Sequence, residues 1–167
     1  MIELKNISVR YGQKTVVDKV SAACQAGQFI ALVGPNGSGK SSLLKAIAGL
    51  VPFDGTTSLP AERRARAKQL SYLAQNSTAP NDRLVEDIIA LGRTPFSGPF
   101  MRLTAADKAA IDAAAKACET DSFFGRKFGT LSGGQKMRVH LSRTLATQAP
   151  LIPVSYTHLT LPTILLV

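Results

Sequence analysis

The chain of 167 residues has only two cysteines, Cys24 and Cys118, and their separation matches no metal-binding or redox spacing. Neither a disulfide scaffold nor a zinc site is expected, and both are read as reduced, small apolar residues. No run is long and apolar enough to cross a bilayer. No secretory signal segment is seen at the start, because Met1-Ile2-Glu3-Leu4-Lys5 already alternates. A cytoplasmic location is the expectation. Internal repeats and low-complexity linkers are also lacking. Acidic residues are scarce, 11 against 20 basic ones, for a net charge of +9, and none follows Asp121. A basic balance can signal nucleic acid or an anionic membrane. Here the densest cluster, Arg63, Arg64, Arg66 and Lys68, reads as a solvated face, and loss of an acidic segment would also leave the rest basic. No nucleic-acid partner is expected, since a basic patch alone carries little information.

What is present fits one domain with a real core: 45% hydrophobic and 19% charged residues. Ile2, Leu4, Ile7 and Val9 alternate imperfectly, Val16, Val17 and Val20 form a second β-rich run, and Tyr11-Gly12-Gln13 makes a turn between them. An antiparallel β layer is predicted. Gln28 to Val33 reads as a short apolar strand, followed by a glycine-rich loop and then a helix from Lys40 to Leu50 with Leu43, Leu44, Ile47 and Leu50 on one stripe. Leu70-Ser71-Tyr72-Leu73 is a further strand ending at Ala74-Gln75. A short amphipathic helix over Leu84 to Leu91 precedes a Gly/Pro-rich loop from Gly92 to Pro99. Thr104 and Asp107 have the spacing of a capping box, opening an alanine-rich helix to about Cys118. Ser132 is placed to cap a helix from Gly133 to about Thr147. The block from about 80 to 135 is read as a helical subdomain.

The glycine-rich loop carries the chemistry. Gly34-Pro35-Asn36-Gly37-Ser38-Gly39-Lys40-Ser41-Ser42 is a complete phosphate-binding pattern in its proper strand–loop–helix setting. Gly34, Gly37 and Gly39 permit backbone conformations and close approaches closed to other residues. The loop amides and the helix N-terminus form an anion site. Lys40 is expected to reach the β and γ phosphates, Ser41 to ligate Mg²⁺, and Ser42 to add a phosphate contact. About ninety residues later Leu131-Ser132-Gly133-Gly134-Gln135 follows.

The two motifs in this order resemble the ATP-binding-cassette (ABC) ATPases, and the resemblance runs from the first residues to about Ile152. It implies the ABC-type P-loop α/β fold: a RecA-like core with a mostly parallel sheet, an antiparallel β layer and a helical subdomain. It implies ATP and Mg²⁺ as cofactors. Tyr11 falls where the family stacks an aromatic on adenine, though a turn tyrosine has the same local look. Gln75 falls at the switch glutamine, implying contact with Mg²⁺ or the attacking water. Ser132, Gly133, Gly134 and Gln135 are implied to meet the nucleotide held by an opposing domain, so a head-to-tail pair is expected. His140, inside the signature helix, and His158 are both rejected as a switch histidine.

Past Ile152 the family continues as an apolar strand ending in Asp-Glu, then a dimer-contact turn and a switch histidine. None of these follows here. Residues 154 to 163, Val154 to Thr163, can be encoded by GTC TCT TAT ACA CAT CTG ACG CTG CCG ACG, which is similar to a transposase-based sequencing-library adapter. The preceding adapter bases complete a proline codon for Pro153, the next base opens Ile164, a sample barcode fills the remainder, and GTG TAG gives Val167 and a stop. Residues 153–167 are therefore expected to be a non-native tail, and the domain to be truncated before its acidic residues and deficient in hydrolysis.

Ala90-Leu91-Gly92-Arg93-Thr94-Pro95-Phe96 resembles the stretch after the switch glutamine in importers of iron–siderophore, haem and cobalamin; read locally, it is a helix closed by Gly92. The leading expectation is an importer's energising subunit, peripheral on the cytoplasmic face. Its partners would be transmembrane permease subunits and, indirectly, an extracytoplasmic binding protein. A soluble non-transport ABC ATPase and an inactive nucleotide-binding fragment stay open.

Overall fold

The N-terminal alternation folds as a hairpin in the computed structural model, which describes residues 1–75, 77–98 and 102–155. Strand β1 (Ile2–Tyr11) pairs antiparallel with β2 (Lys14–Cys24), and Gly12, at φ 59°, takes the left-handed turn position between them. On its other edge β1 pairs antiparallel with β3 (Asp54–Thr57), giving the order β2-β1-β3. Strand β3 carries Asp54-Gly55-Thr56-Thr57, too short and polar to stand out in the sequence. Leu4, Ile7, Val9 and Val17 turn one face of this sheet onto Leu43, Ala46 and Ile47 of helix α1 (Lys40–Ile47), with Leu59 and Leu70 completing the cluster.

A second core is helical. Helix α3 (Val85–Ala90), helix α4 (Ala105–Ala117) and helix α5 (Gly133–Ala146) pack together through Val85, Ile88, Ile89, Ile111, Ala115 and Val139, closed by Phe123, Phe128 and Leu131. Both expected caps form. Thr104 accepts from the Asp107 amide while Asp107 accepts from the Thr104 amide, and Ser132 and Gln135 do the same at α5. Each satisfies two otherwise orphaned amides.

Helix α2 (Arg63–Gln69) takes up the basic cluster that reads as a solvated face. That reading is corrected for Arg66; Arg63, Arg64 and Lys68 are exposed. Arg66 is buried, its Nε donating to the Pro60 carbonyl at 2.7 Å and its guanidinium 6.0 Å from the Phe53 ring centroid. Arg64, though exposed, donates to the carbonyls of Pro95 and Ser97 in the loop after the Leu91–Arg93 turn.

The segment 28–33 is not a strand. Phe29 is 85% exposed and Val33 87% exposed, and Ile30 and Leu32 are exposed as well. A fully apolar strand needs pairing partners and cover on both faces. Among the described residues the parallel pairing goes elsewhere, through bridges joining Leu70 to Leu151 and Leu73 to Val154. The parallel part of the expected core is thus confined, among the described residues, to these two bridges beside the antiparallel layer.

Candidate nucleotide-binding site

The phosphate loop is shaped by two glycines that no other residue could replace cheaply. Gly37 has φ 82° and Gly39 φ 87°, both left-handed. A side chain on Gly39 would also run into the Val16 carbonyl of β2, so the loop lies hard against the hairpin. Gly39 is the N-cap of α1 and offers no side-chain cap, and the first turn of the helix contains no acidic residue. The leading amides of α1 are therefore open to an anion. Lys40 folds back over the loop, its Nζ donating at 2.7 Å to the carbonyls of Gly34 and Pro35 and lying 3.4 Å from Ser38 Oγ. One ammonium is thus held against the exposed loop residues Gly34, Pro35 and Ser38.

Tyr11 is half exposed at the end of β1 and pairs with Lys14, two residues along β2 from the Val16 carbonyl that meets Gly39. Its ring is available to a planar ligand. Gln75 is exposed in a turn two residues beyond the Leu73–Val154 bridge. Ser132, Gly133 and Gly134 are exposed at the N-terminus of the 14-residue α5. They adjoin the helical core through Leu131 and Val139, whereas the phosphate loop adjoins the β-sheet core through Leu43. The two motifs adjoin separate clusters.

The donor set for a divalent cation is thin. Ser41 Oγ lies 3.1 Å from Ser155 Oγ, and Ser155 is carried there by the segment that pairs with Leu70–Leu73: its amide donates to the Leu73 carbonyl at 3.1 Å, and the Leu73 amide to the Pro153 carbonyl at 3.0 Å. Among the described residues, the side chain hydrogen-bonded to that of Ser41 is a neutral hydroxyl. Among the described residues no group of three His, Cys, Asp or Glu could hold a metal ion. Mg²⁺ is ordinarily bound through at least one carboxylate beside the phosphates, and the residues present do not fit that pattern.

The buried charges lie elsewhere, at a joint the sequence does not announce. Arg93 sits at the end of the 3₁₀ turn Leu91–Arg93 and is buried. Its Nε donates to Asp107 at 2.8 Å, its Nη1 to the Ala146 carbonyl at 2.9 Å, and its guanidinium lies 4.0 Å from the Phe96 ring centroid. It thereby joins the start of α4 to the end of α5, where helix carbonyls favour a cation. Gly92 is part of the same joint. Its φ is not left-handed, and a Cβ there would strike the Arg143 carbonyl of α5. Close packing explains this glycine, which the local reading takes as a helix stop. Beside the joint lies a groove of about 180 Å³ walled by Ala67, Leu70, Tyr72, Leu91, Pro95 and Arg143.

His140 is 2% exposed and edge-on to Phe128 at 5.3 Å. A structural role fits the reading that rejects it as a switch; His158 lies outside the described residues. Burial, then the Arg143 guanidinium, lower the pKa of His140 from 6.5 to about 4. Asp107 is lowered from 3.8 to about 2, chiefly by hydrogen bonds from Thr104 and then Arg93. The unfolded chain protonates this histidine below pH 6.5 and the folded chain only near 4. Stability is thus complete above pH 6.5 and falls by up to about 3 kcal/mol as pH drops from 6.5 toward 4. Asp107 withdraws its own contribution between pH 3.8 and 2. Urea unfolding should show midpoints falling from pH 7 to 4, and His140→Phe should flatten the first part of that decline.

The comparisons with known proteins converge on one family. Residues 17–153 match the ABC transporter family. The chain belongs to that family. It is 35% identical to the zinc uptake system ATP-binding protein ZurA of Listeria innocua, over 91% of this chain and 62% of that protein. It is 36% identical to the hemin import ATP-binding protein HmuV of Pseudomonas fluorescens, over 90% of this chain and 60% of that protein. An inward-facing structure of a metal-chelate type ABC transporter superposes with a TM-score of 0.76 at 23% identity, covering 92% of this chain and 58% of that one, which shows the shared ABC fold. The chain thus spans about 60% of the length of the curated relatives it matches.

Proposed function

We propose that the chain is the nucleotide-binding part of an ABC importer's ATP-binding subunit. The observation that carries this reading is a complete phosphate loop, Gly34 to Ser42, opening onto an uncapped α1 with Lys40 over it, in a chain of this family. ATP is held by the loop amides, Lys40 and Ser42, with Tyr11 against the adenine. A second copy covers the phosphates head-to-tail with Ser132 to Gln135, which accounts for two motifs on separate cores. Iron–siderophore, haem or cobalamin is the proposed cargo. The name of the hemin relative supports that branch, and the name of the zinc relative adds a metal ion as a further candidate. Permease subunits hold the ATPase at the cytoplasmic face and an extracytoplasmic binding protein delivers the cargo. No described helix is long and apolar enough to cross a membrane.

Hydrolysis is a separate matter. We propose that residues 153–167 are not native and that the chain binds ATP without turning it over. Ser155 supports this, standing beside Ser41 where a carboxylate is needed to position metal and water. Nucleotide binding by equilibrium dialysis, run beside a phosphate-release assay, tests both halves: binding without release is expected. Turnover in the range ordinary for the family overturns the second half. Genomic DNA beyond codon 152 should encode an apolar strand ending in Asp-Glu.

A further inference from the structure

Lys14 stands where a base laid on Tyr11 would meet it. The two are register partners at the closed end of the hairpin, on either side of Gly12-Gln13. Successive residues of a strand face opposite ways. Val9 is buried in the cluster shared with α1 and Arg10 is exposed, so Tyr11 returns to the face of Val9. Lys14, directly opposite Tyr11, shares that face, with the two Cβ atoms about 5 Å apart. The register also places this face beside the phosphate loop. Val9 pairs with Val17 but Arg10 with Thr15, so Val16 is an extra residue on β2, and its carbonyl is the one set against Gly39. A bulge thus holds the ring, the lysine and the anion site on one side of the hairpin.

The chemistry of the pair is one-sided. A ring face offers no choice among purines. The Lys14 ammonium has three donors and no acceptor, and it is exposed and makes no ion pair among the described residues. Beside a purine it is satisfied by the O6 and N7 acceptors of guanine, and it opposes the N6 amino group of adenine, itself a donor. Gln13, the polar side chain within the turn, has both a donor and an acceptor and favours neither base. We propose that Lys14 reads the base, and that the site takes 6-oxopurine nucleoside triphosphates more tightly than ATP. The proposal rests on the nucleotide site put forward above and concerns the base it selects.

The test is isothermal titration of the full chain with ATP, guanosine triphosphate and inosine triphosphate in one magnesium buffer. Both 6-oxopurines should bind about threefold tighter than ATP, a modest factor because the lysine is exposed. Inosine triphosphate binding like ATP would put the selection on the 2-amino group of guanine and overturn the proposal. Lys14→Met keeps the stem and removes the ammonium. It should weaken guanosine triphosphate by about threefold and leave ATP nearly unchanged, and Lys14→Arg should restore the preference. Equal losses for both nucleotides in Lys14→Met would put the ammonium on the phosphates and overturn the assignment, as would a preference that survives in that variant. Melting curves without nucleotide establish that the variants are folded; should Lys14→Met not fold, the ranking of the three nucleotides by the parent chain decides. Binding by the parent with no preference, or with ATP the tightest, overturns only this inference. No binding of any of the three overturns the nucleotide site and this inference with it.

Discussion

Arg93→Ala is expected to unfold about 10 °C below the parent chain, a loss of about 3 kcal/mol at the 2–4 °C per kcal/mol typical of chains this size. Three things go together. The terminal carbonyl of α5 at Ala146 loses its donor, Asp107 loses its cation, and the Phe96 ring loses the guanidinium that covers it. A buried pair need not be strongly stabilising as a pair, yet removing one member leaves the other uncompensated. Adding Asp107→Asn to Arg93→Ala should therefore cost less than the sum of the two single changes. Thermal unfolding followed by circular dichroism at 222 nm measures each. Additive losses would show that Arg93 acts on α5 alone and leaves α4 to its own cap. The second readout is the signature helix: hydrogen exchange near Ser142 and Ala146 should quicken in Arg93→Ala more than in β1.

Lys40→Ala should weaken ATP binding by about 100-fold, the equivalent of about 3 kcal/mol for a charge-assisted contact to phosphate. The lysine is held over the loop by the Gly34 and Pro35 carbonyls, so its ammonium is already positioned and little ordering remains to be done on binding. Substitution should leave the fold intact, because the side chain touches only the exposed loop and belongs to neither hydrophobic cluster. Isothermal titration with ATP, beside a melting curve in the absence of nucleotide, separates the two effects. Equal affinity for parent and variant would remove Lys40 from the site.

Features fixed by neighbours in sequence were legible before the structure. The Thr104 cap, the Ser132 cap and the Gly12 turn each depend on a few consecutive residues, and each stands where the sequence places it. The phosphate loop was legible for the same reason, since its shape follows from glycine spacing. What failed depends on distant partners. Phe29 to Val33 has the composition of a strand, but a strand forms only against another, and none pairs with it among the described residues. Arg64 and Arg66 look alike in the sequence, yet one stays exposed and bonds the loop carbonyls of Pro95 and Ser97 while the other is buried against Gly49 and Phe53. Arg93 lies in a stretch whose resemblance was noted, but nothing local marks its partner as Asp107, already engaged in a cap. The separation of the two nucleotide motifs onto different cores was legible only through family resemblance; spacing along the chain does not encode it.

The uncovered apolar stretch at Phe29, Ile30, Leu32 and Val33 also sets how the chain behaves among its own copies. Backbone amides and carbonyls free to form a ladder, flanked by large oily side chains, are a template on which a neighbouring molecule can crystallise its own stretch. Yield from a cell will then depend on crowding at the ribosome and on holdase chaperones more than on the melting temperature of the finished fold.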